Sequence, residues 1–105
     1  MLYENLNQIY DKDDLVVCQL SDHGAVHLGE DEYLLSEAMT RVPLWVRAPN
    51  LESGIDNTIV QTTDILPSLL NLCGIDLHDI QIDGRLWPIL GGMERDYALT
   101  ESIYD

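Results

Sequence analysis

Positive charge is scarce in this sequence. Five lysines and arginines stand against nineteen acidic residues, a formal charge of −14 over 105 residues. The five cations form no run, which excludes nucleic-acid backbones and anionic membranes as partners, since both call for clustered positive charge. Such a field suits divalent cations, and it suits an anionic ligand only where a metal or positive element reverses it locally. Away from any site the carboxylates read as solvated surface. Cysteine is scarce too. Cys18 and Cys73 cannot make a disulfide framework, and each stands in an apolar stretch, as a small buried hydrophobe does. No basic-then-apolar leader opens the chain, and no apolar run approaches the roughly eighteen residues of a membrane span. A soluble chain with no export signal of its own is expected, and no compartment is assigned. Repeats, low-complexity tracts and linkers are absent as well. The length fits one small domain, 1–105, with a single modest core.

What the sequence does have is a buried strand that ends in polar residues. Leu15 to Leu20 is short, apolar and rich in branched side chains, the pattern of a strand covered on both faces. Ser21-Asp22-His23-Gly24 then switches to small, polar and flexible residues. In open α/β sheets ligands bind in the crevice beyond the carboxyl ends of strands. Asp22 and His23 therefore stand where a site is expected, although a turn carboxylate and a hydrogen-bonded imidazole would look the same in sequence.

The remaining elements follow in alternation. Leu2, Leu6, Ile9 and Tyr10 have helical spacing for one buried face, and Asp11 to Asp14 make a charged turn. Tyr33 to Met39 predicts a short helix that Pro43 ends, and Leu44 to Val46 a second strand. Thr58 to Gln61 predicts a short extended piece. Thr63 or Asp64 is a credible cap for a helix with Ile65, Leu66, Leu69, Leu70 and Leu72 on its apolar face, stopped by Gly74. Arg85 to Leu90 suggests a single helical turn, and Tyr97 to Thr100 an edge strand. The expected fold is α/β, with a small, mainly parallel sheet of three or four strands and flanking helices. So small a sheet normally belongs to a larger one.

Four ordered blocks carry a family resemblance. They are Leu20-Ser21-Asp22-His23-Gly24, with Leu28-Gly29-Glu30 after it; Thr40 to Pro49; Thr63 to Leu70; and Asp83 to Leu90. Together they resemble the C-terminal part of a sulfatase catalytic domain, within the alkaline phosphatase superfamily of metal-dependent hydrolases. The resemblance runs from about Asn5 to Glu101. It implies an alkaline-phosphatase-like layered fold, an anionic sulfate or phosphate ester as substrate of the complete enzyme, and Asp22 and His23 as metal ligands. Sulfatases commonly pair the aspartate with asparagine, which suits calcium. The Asp-His form is more like phosphonate and phosphodiester hydrolases and the lipoteichoic-acid-synthase-like branch, and it moves the expected ion towards manganese or zinc, with calcium and magnesium left open. His27 and Arg41 are candidate substrate or supporting contacts, Arg41 by pairing with a carboxylate.

Two departures from the family stand out. Sulfatases carry a Cys- or Ser-x-Pro-x-Arg nucleophile motif in their N-terminal half, whereas Cys18 is followed by Gln-Leu-Ser and Cys73 by Gly-Ile-Asp. Relatives also place a lysine or histidine in the loop where Glu30-Asp31-Glu32 stands, and a carboxylate cannot stabilise a developing anion. No catalytic residue is assigned within these 105 residues, and the chain alone is expected to be inactive. Uncovered strands predict a homo-oligomer that buries Trp45 or Trp87. Two other readings fit the same residues. One is a non-catalytic, truncated or degenerate module that oligomerises and binds a divalent cation. The other is an acidic interaction domain in which the motif is incidental.

Overall fold

An apolar run becomes a strand only when its backbone finds a neighbour to pair with. In the computed structural model, which describes residues 1–25 and 35–102, strand β1 (Val17–Leu20) finds strand β2 (Leu44–Arg47). Val17 pairs with Arg47, Cys18 with Val46, Gln19 with Trp45 and Leu20 with Leu44. The expectation of three or four mainly parallel strands is not met by the described residues, whose sheet has two strands in antiparallel order. Apolar patterning reports burial and carries no direction. Direction comes from where the chain returns, and Leu44 re-enters opposite Leu20, the end just left, which only an antiparallel pair allows.

The chain divides into two compact units where one domain is expected. One is Met1–Val16 with Ala48–Ala98; the other lies within Val17–Arg47 and Leu99–Asp105.

In the first unit, helix α1 spans Leu2–Ile9 as its spacing predicts. Its apolar face is barely used: Leu6 is half-buried, while Leu2, Ile9 and Tyr10 are exposed. A 3-10 turn at Thr62–Asp64 leads into a longer helix, Ile65–Leu72, which we label α3 by its place in the chain. Gly74, with φ of 75°, closes it, and the bonds from Gly74 N to Asn71 O and from Ile75 N to Leu70 O satisfy its last carbonyls. Trp87 is the largest buried apolar side chain among the described residues, at 4% exposure. Of the two tryptophans expected at an oligomer contact, Trp45 or Trp87, Trp87 is already covered within the chain and Trp45 is exposed. Cys73 is likewise exposed rather than buried. Residues 85–90 contribute one 3-10 turn, Pro88–Leu90.

Side-chain bonds to backbone hold the start of α3 to the segment after residue 83. Ser68, fully buried, accepts from Trp87 N at 3.0 Å. Asp64, only 2% exposed, accepts from Gln61 N at 3.0 Å, from Arg85 N at 2.8 Å and from the Arg95 guanidinium. Gly84 lies so close that a Cβ there would sit 1.8 Å from the Thr63 carbonyl oxygen.

The second unit holds the β1–β2 ladder and a one-turn helix, α2 (Glu37–Thr40); of the Tyr33–Met39 helix expected, Tyr33 and Leu34 lie outside the described residues, and Leu35 and Ser36 are not helical. Leu35 precedes it at φ 69°, a left-handed conformation that starts no helix. Thr58–Gln61 and Tyr97–Thr100 form no strand. The extended pattern was there, but a ladder also needs a partner. Among the described residues no helix is long and apolar enough to cross a membrane.

Candidate functional site

The ladder ends at Leu20, and the next four residues satisfy one another through a tight set of local bonds. Ser21 Oγ donates to the His23 carbonyl at 2.8 Å and lies 3.4 Å from Asp22 Oδ1. Asp22 Oδ1 accepts from His23 N at 2.9 Å. That N–H, and after it the imidazole charge, hold the Asp22 carboxyl below the usual carboxylate range, so it is ionised at neutral pH.

His23 Nδ1 lies 2.8 Å from the Gly24 carbonyl oxygen. A carbonyl only accepts, so Nδ1 donates in this bond, and in the neutral ring Nε2 is the nitrogen that keeps a lone pair. Nε2 stands 3.6 Å from Asp22 Oδ2, with the two side chains 55% and 84% exposed. Two donors held about 2.1 Å from one tetrahedral ion stand about 3.4 Å apart. One hard oxygen and one imidazole nitrogen, facing each other at that separation and open to solvent, therefore fit a divalent ion. Among the described residues no group of three His, Cys, Asp or Glu side chains is placed to hold one.

The other expected residues fare differently. Arg41 donates to Glu37 Oε1 at 3.0 Å, one helical turn away on the exposed end of α2. Arg41 thus has the carboxylate partner expected of it, but an exposed i,i+4 pair braces little. No hydrogen bond joins it to Asp22 or His23 among the described residues. His27 and the Glu30-Asp31-Glu32 stretch lie outside the described residues. Cys18 is half-buried, and burial pushes its thiol up, away from the thiolate a nucleophile needs.

The reading of the sequence missed what holds this pair in place. Gly24 N donates to the Met39 carbonyl at 2.7 Å. An added Cβ at Gly24 would sit 1.8 Å from the Ala38 carbonyl oxygen. The signal was present in the Gly24 that follows His23, but which backbone it approaches cannot be seen from the motif alone.

Comparison with known proteins bears on the same stretch. The Sulfatase family model matches residues 1–75. Choline-sulfatase of Rhizobium meliloti (strain 1021) is 33% identical over 101 residues, which cover 90% of this chain and 20% of that protein. N-acetylglucosamine-6-sulfatase of Homo sapiens is 37% identical over 79 residues, 69% of this chain and 14% of that one. Lipoteichoic acid synthase of Staphylococcus aureus (strain USA300) is 30% identical over 97 residues, 79% of this chain and 15% of that one. The chain spans a fifth or less of the length of these relatives, and no solved structure matches it. A family model that takes in the first helix, the ladder, the Asp-His pair and α3 leaves one assignment: the chain belongs to the sulfatase family.

Proposed function

We propose that this chain supplies the metal-holding pair, Asp22 and His23, of a hydrolase acting on sulfate or phosphate esters. In that reading β1 and β2 belong to a larger, mainly parallel α/β sheet of the alkaline-phosphatase-like kind, and the nucleophile comes from outside these 105 residues. The observation that carries it is the 3.6 Å approach of His23 Nε2 and Asp22 Oδ2 at the end of β1, in a chain of the sulfatase family.

Each residue has a defined part. Asp22 presents a carboxylate that stays ionised, and His23 presents Nε2, since its Nδ1 is tied to backbone. A divalent ion held by Asp22 and His23 would supply the positive charge that neutralises an anionic ester under attack. Mixed oxygen and nitrogen donors favour manganese or zinc over calcium or magnesium. Two ligands fill half of a first shell, so affinity is expected to be weak, roughly tens of micromolar to millimolar.

Calorimetry with manganese and zinc on the chain and on Asp22→Ala and His23→Ala tests the assignment. Loss of binding in both variants is expected; unchanged binding in both removes it.

A second reading is a non-catalytic member that binds a cation: neither cysteine of this chain sits in a nucleophile motif, so catalysis depends wholly on residues outside the 105. Release of nitrophenol from an aryl sulfate by the complete protein would decide against it.

A further inference from the structure

Gly24 makes two bonds through its backbone. Its carbonyl accepts from His23 Nδ1 at 2.8 Å, and its N–H donates to the Met39 carbonyl at 2.7 Å. Its missing side chain is what allows the second bond. A Cβ would meet the Ala38 carbonyl oxygen at 1.8 Å, the Ala38 carbonyl carbon at 2.9 Å and Met39 Cα at 3.1 Å. All three are backbone atoms, so no side chain can swing aside to relieve the clash.

The backbone that Gly24 approaches is itself fixed. Met39 N and Thr40 N both donate to the Ser36 carbonyl at 3.0 Å, Arg41 N donates to the Glu37 carbonyl at 2.9 Å, and Thr40 Oγ1 returns to the Ser36 carbonyl at 3.1 Å. A one-turn helix has little stability of its own. Here it serves as an anchor because its Met39 carbonyl accepts from Gly24 N in the loop that follows β1.

We propose that Gly24 is a positioning residue for His23. By docking on the Ala38–Met39 backbone it aims its own carbonyl at Nδ1, fixes the Nδ1–H tautomer, and leaves Nε2 turned towards Asp22 Oδ2. An unconstrained histidine side chain in water prefers the opposite tautomer, with the proton on Nε2, so the tautomer needed for binding through Nε2 has to be imposed. Histidines that bind metals are generally oriented through the other ring nitrogen in this way, and loss of the orienting group costs about 10–100-fold in affinity. In this chain the orienting group is a neighbouring backbone carbonyl, and the residue that aims it is a glycine. The inference rests on the metal-holding role proposed above for Asp22 and His23, but its first readout needs no metal.

The test uses the full 105-residue chain, Gly24→Ala, and Gly54→Ala as a control, because a Cβ at Gly54 meets nothing within 4 Å. Long-range ¹H–¹⁵N spectra of neutral His23 report which nitrogen carries the proton. The Nδ1–H form is expected in the parent chain and in Gly54→Ala. In Gly24→Ala it gives way to the Nε2–H form, with the β1–β2 amide signals retained and manganese or zinc binding weakened at least tenfold. An Nε2–H tautomer in the parent chain overturns the proposal without need of any variant, so a Gly24→Ala chain that fails to fold does not shelter it. An unchanged tautomer and affinity in a folded Gly24→Ala overturns it equally. If the parent shows Nδ1–H and binds no metal, the positioning role stands and the metal role of the pair falls.

Discussion

The guanidinium of Arg95 grips both carboxylate oxygens of Asp64, thirty-one positions earlier in the chain. The side chains are 12% and 3% exposed, so this is an ion pair withdrawn from water. Arg85 N and Gln61 N complete the coordination of the carboxylate. Removing Arg95 leaves the Asp64 carboxylate without its cation. Arg95→Ala is expected to lower the urea midpoint of the full chain. Arg95→Lys should recover only part, since an ammonium cannot present two parallel N–H groups. An unchanged midpoint in Arg95→Ala would show that the pair does not form in solution.

The same carboxylate sets a pH dependence. Burial alone would push the Asp64 carboxyl up, but the Arg95 hydrogen bond and the N–H groups of Arg85 and Gln61 outweigh it and hold it below its ordinary value. A group whose folded value lies below its unfolded one, near ~3.9, contributes fully above that pH. Its contribution is lost as the pH falls through the unfolded value towards the folded one. Melting temperature measured from pH 6 down to pH 2.5 should drop more steeply in the parent chain than in Asp64→Asn. Parallel curves would detach the acid limb from this residue.

Gly84→Ala and Gly54→Ala should separate cleanly. At Gly84 the new methyl lands 1.8 Å from the Thr63 carbonyl oxygen, and overfilling of this kind costs about 1–3 kcal/mol. At Gly54 it meets nothing, and the loss of unfolded-chain freedom stabilises by up to ~1 kcal/mol. Equal effects at the two positions would mean that the 63–84 approach is not made.

We propose that the chain self-associates through the face of β2 that carries Trp45. That side chain is 70% exposed beside Gln19, whereas Trp87 is already enclosed. Net negative charge opposes association, but it is screened beyond roughly 8 Å at physiological salt. Light scattering at high micromolar concentration is expected to give more than the monomer mass, falling towards it in Trp45→Ser. A monomer at that concentration would leave the Trp45 face without a partner.

No turnover of an aryl sulfate by these 105 residues alone is expected, since no Cys- or Ser-x-Pro-x-Arg occurs among them. Multi-turnover release of nitrophenol that disappears in Asp22→Ala would contradict this.

Where the sequence was legible, the cause was local. The apolar runs at 15–20 and 44–46 did become the ladder, α3 began beside Asp64 and stopped at Gly74, and the adjacency of Asp22 and His23 is read directly. What was hidden depends on distance along the chain. Strand direction was fixed by where Leu44 returned, and the Asp64 partner lay at Arg95, which has no motif around it. Tyr97–Thr100 had strand composition without a neighbour. Asp64 was read as the cap of α3, but its side chain makes no cap bond there: it reaches back to Gln61 N and forward through three bonds to Arg85 and Arg95.

The side-chain clamps at the start of α3 also set how the segment beyond residue 83 breathes. Arg85 and Trp87 lie in irregular backbone, where amide protons ordinarily trade with water within the time of a loop fluctuation. Their N–H groups instead end on Asp64 and Ser68, inside the unit. Deuterium can reach them only when those two side chains let go, which requires the helix start and the segment to part together. Two amides outside any helix or strand thereby become reporters of the cooperative opening of the whole unit.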